Sequence, residues 1–159
     1  MKLSMKTIIQ RMIFIIPLFL ISVNLSAQDS DAYEKAKSEI IEQFGTFFPT
    51  FKAYPKYALS DAWESYKSLS GPGSSISAKN KELIQLAVAS QIPCVYCVYF
   101  HRVSAKANGA TDEEIKEAVA LGAQTRQWSM ITQGSGISFE DFKVEFDAAM
   151  KHMAEKAKK

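Results

Sequence analysis

The fold is decided by residues 77–109, which read SAKNKELIQLAVASQIPCVYCVYFHRVSAKANG. Ser77 is a typical helix N-cap, and the residues after it place apolar side chains on most sides of a helix. A helix with that pattern is expected to be buried against several neighbours. Pro93 interrupts it, and a second helix is predicted from Cys94 to Ala107, because Asn108-Gly109 is a typical C-terminal stop. Two helices joined by a short turn therefore form the centre of the predicted fold.

The flanking sequence extends the helical pattern in both directions. It predicts two helices before this region, one capped by Asp29 or Ser30 and stopped by Pro49, and one from Pro55 to Leu69. It predicts two more after it. The first starts at a Thr111/Glu114 capping box and stops at Gly134, and the second runs from Phe139 to Lys156. No stretch alternates convincingly with period two, so no strand is predicted. The fold class is therefore all-α, with about six helices.

Apolar side chains at helical spacing are interpreted as core positions. Trp63 and Trp128 are assigned to the core, because large aromatic residues dominate core burial. Leu121 and Ile131 are expected to face inward from the same helix as Trp128. Two phenylalanine stripes are interpreted as core or subunit interface, namely Phe44, Phe47 and Phe48, and Phe142 and Phe146.

Composition limits the classes of protein that this chain can represent. Its 159 residues fit one domain, and 47% hydrophobic with 23% charged residues is ordinary for a globular protein. The net charge is only +2, and no basic stripe alternates with aromatics, so nucleic acid is not expected as a partner. Two cysteines do not make a disulfide framework. The fold must therefore rest on an apolar core.

Residues 1–27 have the order of a secretory signal peptide, which is basic residues, then an apolar run, then small residues before Gln28. The sequence therefore predicts an exported protein, periplasmic after cleavage near Ala27, with a single domain over residues 28–159. An uncleaved membrane anchor is the alternative. The mature chain would carry 16 basic and 17 acidic residues. Export would expose the two cysteines to an oxidising compartment, where a disulfide can form.

The chemistry is concentrated in Cys94, Cys97 and His101, with Glu82 upstream. If Cys94 begins a helix, Cys97 lies in the first turn, where free N–H groups favour a thiolate. His101 follows Cys97 at i+4, so both side chains share one helix face and the imidazole can move the thiol proton. A carboxylate such as Glu82 on a buried helix needs a partner, and this cluster would supply one.

Four interpretations of these residues remain open. A structural Cys94–Cys97 disulfide would close a very small loop. Because such a loop lowers the entropy of the unfolded chain only slightly, it would stabilise the fold by only about 2 kcal/mol. A metal site would use Cys94, Cys97, His101 and either Glu82 or His152, but one Cys-x-x-Cys is half of a usual zinc pattern. A pair of buried reduced thiols conflicts with export. A redox-active dithiol is the favoured interpretation.

Three segments together resemble a known family. Residues 79–88, 94–101 and 107–115 are similar to the alkylhydroperoxidase D-like branch of the carboxymuconolactone decarboxylase superfamily, and the likeness covers about residues 54–134. It implies an alkylhydroperoxidase D-like helical bundle that assembles into trimers or hexamers. It also implies peroxide reduction, in which Cys97 attacks the peroxide, Cys94 resolves it into a disulfide, and Glu82 and His101 form the proton relay.

One residue departs from the best-studied branch, which has a second histidine between the two cysteines. This chain has Tyr96 there, and tyrosine is not a base at neutral pH, so Tyr96 is a candidate supporting residue only. The decarboxylases proper lack the cysteine pair, which argues against that reaction here.

The resemblance implies a thiol-dependent peroxidase, an oxidoreductase with peroxiredoxin-type antioxidant activity. Its partners would be a hydroperoxide substrate, an unidentified thiol or dithiol reductant, and further copies of the chain. No cofactor and no metal are expected. Because export separates the enzyme from cytosolic reductases, an exported thiol–disulfide oxidoreductase is an alternative that uses the same dithiol. A non-enzymatic helical assembly or a metal-binding protein is the remaining alternative.

Overall fold

The computed structural model describes residues 29–158. Within this range there are seven helices and no strand, which are α1 over residues 29–44, α2 Pro49–Lys52, α3 Lys56–Ser70, α4 Ala78–Ala89, α5 Val95–Ala107, α6 Asp112–Gly134 and α7 Phe139–Lys156. The all-α prediction is confirmed. The helix beyond the predicted six is α2, a single turn. The predicted signal peptide of residues 1–27 lies outside the described residues.

The chain divides into two compact units, one up to Ser74 and one from Ser75 onward. The boundary falls in the Gly- and Ser-rich stretch of residues 71–75, which the sequence marks as a loop. The single domain over residues 28–159 stays a prediction.

The unit up to Ser74 has an aromatic core. Ala36, Ile40, Leu59 and Trp63 are fully or almost fully buried, and Trp63 is 1% exposed. The Trp63 ring stacks on Tyr66 with centroids 5.2 Å apart, and the rings of Phe44 and Phe51 pack edge-on against it. The predicted core position of Trp63 is confirmed.

A carboxylate on α1 fastens this core to α3. Trp63 Nε1 donates to Glu39 Oε2 at 2.7 Å, and Lys67 Nζ donates to the same oxygen at 2.6 Å. The hydrogen bond from Lys67, and then that from Trp63, hold the pKa of Glu39 below its ordinary value. The indole N–H therefore has an ionised acceptor at the edge of the core.

The unit from Ser75 packs α4 against α5 and α6 around small and aliphatic residues. Its buried core is Leu86, Ala105, Ala110 and Ile115. Where α4 and α6 cross, a Cβ built on Gly122 would lie 3.2 Å from the Ala87 carbonyl oxygen, which is tighter than ordinary contact. Glycine at this crossing therefore lets the backbones approach closely.

The predicted helix ends in this unit are confirmed. The Ser77 side chain accepts from the Asn80 N–H at the start of α4. At the start of α6, Thr111 Oγ1 accepts from the Glu114 N–H while Glu114 Oε2 accepts from the Thr111 N–H, which is the predicted capping box. Lys79 Nζ also donates to Glu114 at 2.6 Å and lowers the pKa of that carboxyl.

Several predicted core positions are wrong in this single chain. The helix expected to be buried on most sides is α4, yet its Ile84 and Val88 are about half exposed. Leu121, Trp128 and Ile131 on α6 were expected to face inward, and all three are more than half exposed. The spacing identifies apolar faces correctly, but the described part of the chain supplies no element that covers them.

The last helix, α7, is likewise exposed along its length, and none of its residues is buried. Its Phe142 and Phe146 rings stack on each other with centroids 5.8 Å apart. Phe142 is 45% exposed and Phe146 is 51% exposed, so the stripe is amphipathic as predicted but does not contribute to a buried core. None of the helices in the described range combines the length and apolar content that crossing a membrane requires.

Candidate functional site

The two cysteines form a disulfide at the start of α5. Cys94 and Cys97 have Cα atoms 5.4 Å apart and are bonded through their sulfurs. Cys94 is the N-cap residue of α5, and its Sγ accepts from the Cys97 N–H at 3.2 Å. Pro93 ends the turn after α4 and precedes the cap, which is why the helix begins here. A sulfur held at a helix N-terminus faces unpaired N–H groups that favour negative charge.

A carboxylate–imidazole pair links α4 to α5. Glu82 Oε2 lies 2.8 Å from His101 Nδ1, and the two side chains are only 14% and 17% exposed. An ionised carboxylate only accepts, so with Glu82 ionised the donor is His101 Nδ1–H, and Nε2 is then the acceptor of the neutral tautomer. The expectation that Glu82 has a partner within the cluster agrees with this geometry.

The two cysteines and His101 belong to the start and the first turns of α5, whereas Glu82 belongs to α4. His101 follows Cys97 by four residues in α5, so the two side chains lie on the same face. Between either sulfur and His101 the described chain has no hydrogen bond. The arrangement therefore places a disulfide and a largely buried carboxylate–imidazole pair about one helical turn apart, while proton transfer between them stays a prediction.

The other candidate residues are peripheral. Tyr96 lies between the cysteines and is 83% exposed, so its ring projects into solvent beside the disulfide. His152 lies on the exposed helix α7. Residues 29–158 contain no group of three or more His, Cys, Asp or Glu that could hold a metal ion. The alternative of a metal site therefore has no ligand set there.

A groove includes one of the two cysteines in its lining, and it was not anticipated from the sequence. It has a volume of about 410 Å³ and lies between the end of α4 and one face of α5. We call it the Cys94 groove, and its lining is Ala89, Ser90, Ile92, Pro93, Cys94, Val95, Val98, Tyr99 and Arg102. The i, i+3, i+4, i+7 spacing of the four α5 residues was the signal that could have revealed a shared face.

A second groove runs between α4 and α6. It has a volume of about 730 Å³, and its walls include Leu83, Ile84, Val88 and Leu121. We call it the α4–α6 groove. The half-exposed apolar residues that contradict the prediction of a buried α4 are therefore gathered on one concave surface.

Comparisons with known proteins agree with the helical architecture. The model of the carboxymuconolactone decarboxylase family matches residues 57–137, about half of the chain. The chain is 30% identical over 69 residues to "Uncharacterized protein 4 in cox locus" of Paracoccus denitrificans, a match that covers 43% of this chain and 62% of that protein. The match thus spans less than two thirds of the relative's length.

A solved structure resembles about three quarters of the chain in its arrangement of helices. The crystal structure of the alkylhydroperoxidase AhpD core from Rhodospirillum rubrum matches with a TM-score of 0.62 and 20% sequence identity, over 76% of this chain and 91% of that one. At this identity the match concerns the fold. With the family model matching the region that carries Cys94, Cys97 and His101, the chain belongs to the carboxymuconolactone decarboxylase family and has the helical fold of the alkylhydroperoxidase AhpD core.

Proposed function

We propose that the protein is a thiol-dependent peroxidase that reduces hydroperoxides through a Cys94–Cys97 disulfide cycle. The observation that carries the proposal is the disulfide at the start of α5, with His101 one turn further along the same helix and bonded to Glu82 of α4. Family membership alone gives less support, because a family of decarboxylases includes chemistry that needs no cysteine pair. The dithiol adds what peroxide reduction requires, which is a nucleophile and a group that resolves it.

The proposed cycle starts from the dithiol. His101, held by Glu82, accepts the Cys97 proton at Nε2, and the Cys97 thiolate attacks one peroxide oxygen. The S–O bond forms, the O–O bond breaks, and the departing alkoxide takes the proton as alcohol. Cys94 then attacks the resulting sulfenic acid, which forms the disulfide and releases water. Two thiols of a reductant restore the dithiol by exchange and leave as a disulfide.

The decisive test compares the two single-cysteine variants. Purified wild type, Cys97→Ser and Cys94→Ser are mixed with hydrogen peroxide and with an organic hydroperoxide, and free thiols and sulfenic acid are counted. We expect wild type to lose two thiols per chain, Cys94→Ser to accumulate sulfenic acid, and Cys97→Ser to react slowly. Folded wild-type protein that keeps both thiols in excess peroxide would contradict the proposal.

Glu82 has a positioning role in this scheme, because it acts on the reaction only through His101. Glu82→Gln keeps the shape but removes the negative charge that orients and supports the imidazole. General acid–base catalysis contributes about 10²–10⁴-fold to the rate. We therefore expect Glu82→Gln to lower kcat/KM by part of that factor and to change the pH profile of the reaction. Glu42→Gln, which removes the same charge at an exposed position of α1, is the control. An unchanged pH profile for Glu82→Gln would remove Glu82 from the mechanism.

A thiol–disulfide oxidoreductase is the second candidate function. It is favoured by the Cys97 N–H bonded to Cys94 Sγ, because a sulfur stabilised at a helix N-terminus is also the nucleophile of exchange reactions. The reduction potential separates the two functions. A dithiol that oxidises a test protein much faster than it consumes peroxide would favour the second candidate.

The proposal extends to assembly of further copies, as trimers or hexamers. It is supported by the exposed apolar residues of the α4–α6 groove and of α7, because a soluble single chain rarely exposes so many large apolar side chains. Light scattering on Val88→Asp and Phe146→Asp tests it, with Val144→Asp, off the α7 stripe, as the control. A wild-type monomer at micromolar concentration would contradict it.

The proposal also includes export, with cleavage near Ala27. The intact mass of the protein recovered from a periplasmic fraction measures the new N-terminus directly. Protein that is found only in the membrane or cytosolic fraction and whose mass retains residues 1–27 would contradict it.

A further inference from the structure

The two cysteines of the disulfide have different surroundings. The Cys94 groove includes Cys94 in its lining, whereas Cys97 is not part of that lining. Cys97 instead shares its helix face with His101, one turn further along α5. A molecule lying in the groove is therefore in contact with Cys94 and not with Cys97.

The groove has the dimensions and chemistry of a site for a short peptide segment. From Val95 to Arg102 it follows eight residues of α5, a distance of about 10 Å at a rise of 1.5 Å per residue. Three residues of extended chain span about the same length. Val95 and Tyr99 are 74% and 73% exposed, so this wall presents apolar surface to solvent beside a reactive bond. Surface of that kind usually marks an interaction site.

Charge adds a preference at one end of the groove. Arg102 is the charged residue of its lining, and it lies two turns away from Cys94 along α5. No carboxylate in the described range lies within ion-pair distance of Arg102, although Arg102 contributes to the lowered pKa of Asp112 from further away. A guanidinium at the end of an apolar groove favours a carboxylate on the incoming segment.

From these observations we propose that the reductant is a partner protein whose cysteine lies in a short apolar segment ending in an acidic residue, and that this segment occupies the Cys94 groove and attacks Cys94. The inference rests on the proposed function, because it names the partner and the point of entry for the reductive half of that cycle. Peroxide and reductant then approach different sulfurs of the same bond.

The reductive step is a thiol–disulfide exchange in two stages. The partner thiolate attacks Cys94 Sγ, a new S–S bond joins the two proteins, and the Cys94–Cys97 bond breaks. Cys97 leaves with the electron pair and takes a proton from the His101 imidazolium or water. A second thiol of the partner then attacks the mixed disulfide and releases Cys94. The partner dithiol is oxidised by two electrons, and both cysteines are reduced.

Two effects bear on which sulfur is attacked. The Cys97 N–H at Cys94 Sγ makes Cys94 the better leaving group, which by itself would direct attack to Cys97. Access acts in the opposite direction, because the groove leads to Cys94. We assign the greater weight to access, since exchange needs the three sulfurs in line and a bulky partner reaches only the sulfur that its binding surface adjoins. The same N–H activates Cys94 for its own attack on the Cys97 sulfenic acid.

The experiment traps the mixed disulfide. Cys97→Ser and Cys94→Ser each keep one thiol, and each is mixed with a cysteine peptide, Leu-Cys-Phe-Glu, activated as its mixed disulfide with thionitrobenzoate. Rates are normalised to the reaction of each variant with iodoacetamide, which removes differences in thiolate fraction. We expect the chain that keeps Cys94 to be faster by on the order of tenfold. Equal normalised rates, or a faster chain that keeps Cys97, would overturn the proposal.

A second comparison tests the groove itself. In the Cys97→Ser background, Val95→Asp places a carboxylate in the groove and should slow the Leu-Cys-Phe-Glu peptide by about tenfold. The matched control is Val144→Asp on α7, which changes a valine of similar exposure, 71%, outside the groove and should leave the rate unchanged. A Lys-Cys-Ser-Lys peptide that reacts as fast as the apolar acidic peptide would overturn the assignment of the partner.

The proposed function has a separate test, which measures the thiols that the wild type loses in peroxide when no partner is present. If peroxide oxidises the wild type but the trapping experiment shows no preference for Cys94, the proposed peroxidase function stands and the inference about the partner is wrong. Selective trapping at Cys94 without peroxide oxidation would remove the peroxidase and point to the oxidoreductase.

Discussion

The two compact units differ in how their helices are held together. Up to Ser74, a tryptophan and several other aromatic rings pack at the centre, and Glu39 fastens the indole N–H. From Ser75 onward, the buried core is leucine, isoleucine and alanine, and the large aromatic residues Trp128, Phe142 and Phe146 are exposed. One unit buries its large side chains, while the other brings backbones close and leaves its large side chains on the surface.

This difference separates stability from chemistry. Small core residues let α4, α5 and α6 approach closely, and the close approach places Glu82 against His101 between two helices. Residues left exposed on α4, α6 and α7 are then available to other molecules. The unit up to Ser74 has an internal aromatic core and contributes none of the four predicted catalytic residues. Substitutions in the two units test this contrast.

The largest effect is expected from Trp63→Ala. Loss of a tryptophan that is 1% exposed leaves a cavity and removes the donor to Glu39, so we expect a loss of about 3–5 kcal/mol in the free energy of unfolding. Urea unfolding followed by near-ultraviolet circular dichroism measures it. The control is Trp128→Ala, which is 64% exposed and should cost far less in the isolated chain. Equal losses for the two variants would contradict the contrast.

A smaller effect is expected from Leu86→Ala in the other unit. Leu86 is 1% exposed, and its side chain is smaller than that of tryptophan, so we expect a loss of about 3 kcal/mol in the free energy of unfolding. Val88→Ala, two residues further along α4 on its exposed side at 58% exposure, is the control and should change the stability of the isolated chain little. The same unfolding measurement applies. A loss at Val88 as large as that at Leu86 would indicate that the groove face is buried in solution.

Thr111→Ala tests the capping box at the start of α6. Removal of the hydroxyl that accepts from the Glu114 N–H should cost about 1 kcal/mol. Thr111→Ser keeps the acceptor and should restore most of the loss, which distinguishes a cap from simple packing. Thermal unfolding of the three proteins measures the difference. A serine variant that is no more stable than the alanine variant would contradict this account of the helix start.

The smallest effect is on the pH dependence of stability. The pKa of Glu39 is held below its ordinary value of 4.5, so the stability it contributes is present above that pH and is lost as the pH falls through the folded-state pKa. Glu39→Gln should therefore flatten the decline in unfolding midpoint between about pH 6 and about pH 3. Glu114→Gln makes the parallel change in the other unit, where Lys79 lowers the pKa of Glu114. A decline as steep as that of wild type in both variants would refute the assignment.

Helix boundaries were predictable from the sequence because they depend on local chemistry. Ser77, Thr111 with Glu114, and Asn108-Gly109 mark helix ends through hydrogen bonds and backbone preferences within a few residues. The pairing of Glu82 with His101 was also within reach, since a carboxylate in an apolar helix needs a partner.

Burial was less predictable, because it depends on what a helix meets rather than on its own pattern. Periodicity showed that Ile84, Leu121 and Trp128 lie on apolar faces, but it does not distinguish a face covered by the same chain from one left open. The Cys94 groove was missed for the same reason, because its walls come from the end of one helix and the side of another.

The bare α-carbon at Gly122 has a consequence for the helix that carries Glu82. A Cβ at this position would lie 3.2 Å from the Ala87 carbonyl oxygen of α4 and 3.2 Å from Gln91 Nε2, both closer than ordinary van der Waals contact. Glu82 lies on the same helix as Ala87, five residues earlier. A methyl group at this crossing would thus require its neighbours to move by a few tenths of an ångström, next to the helix from which the carboxylate reaches His101.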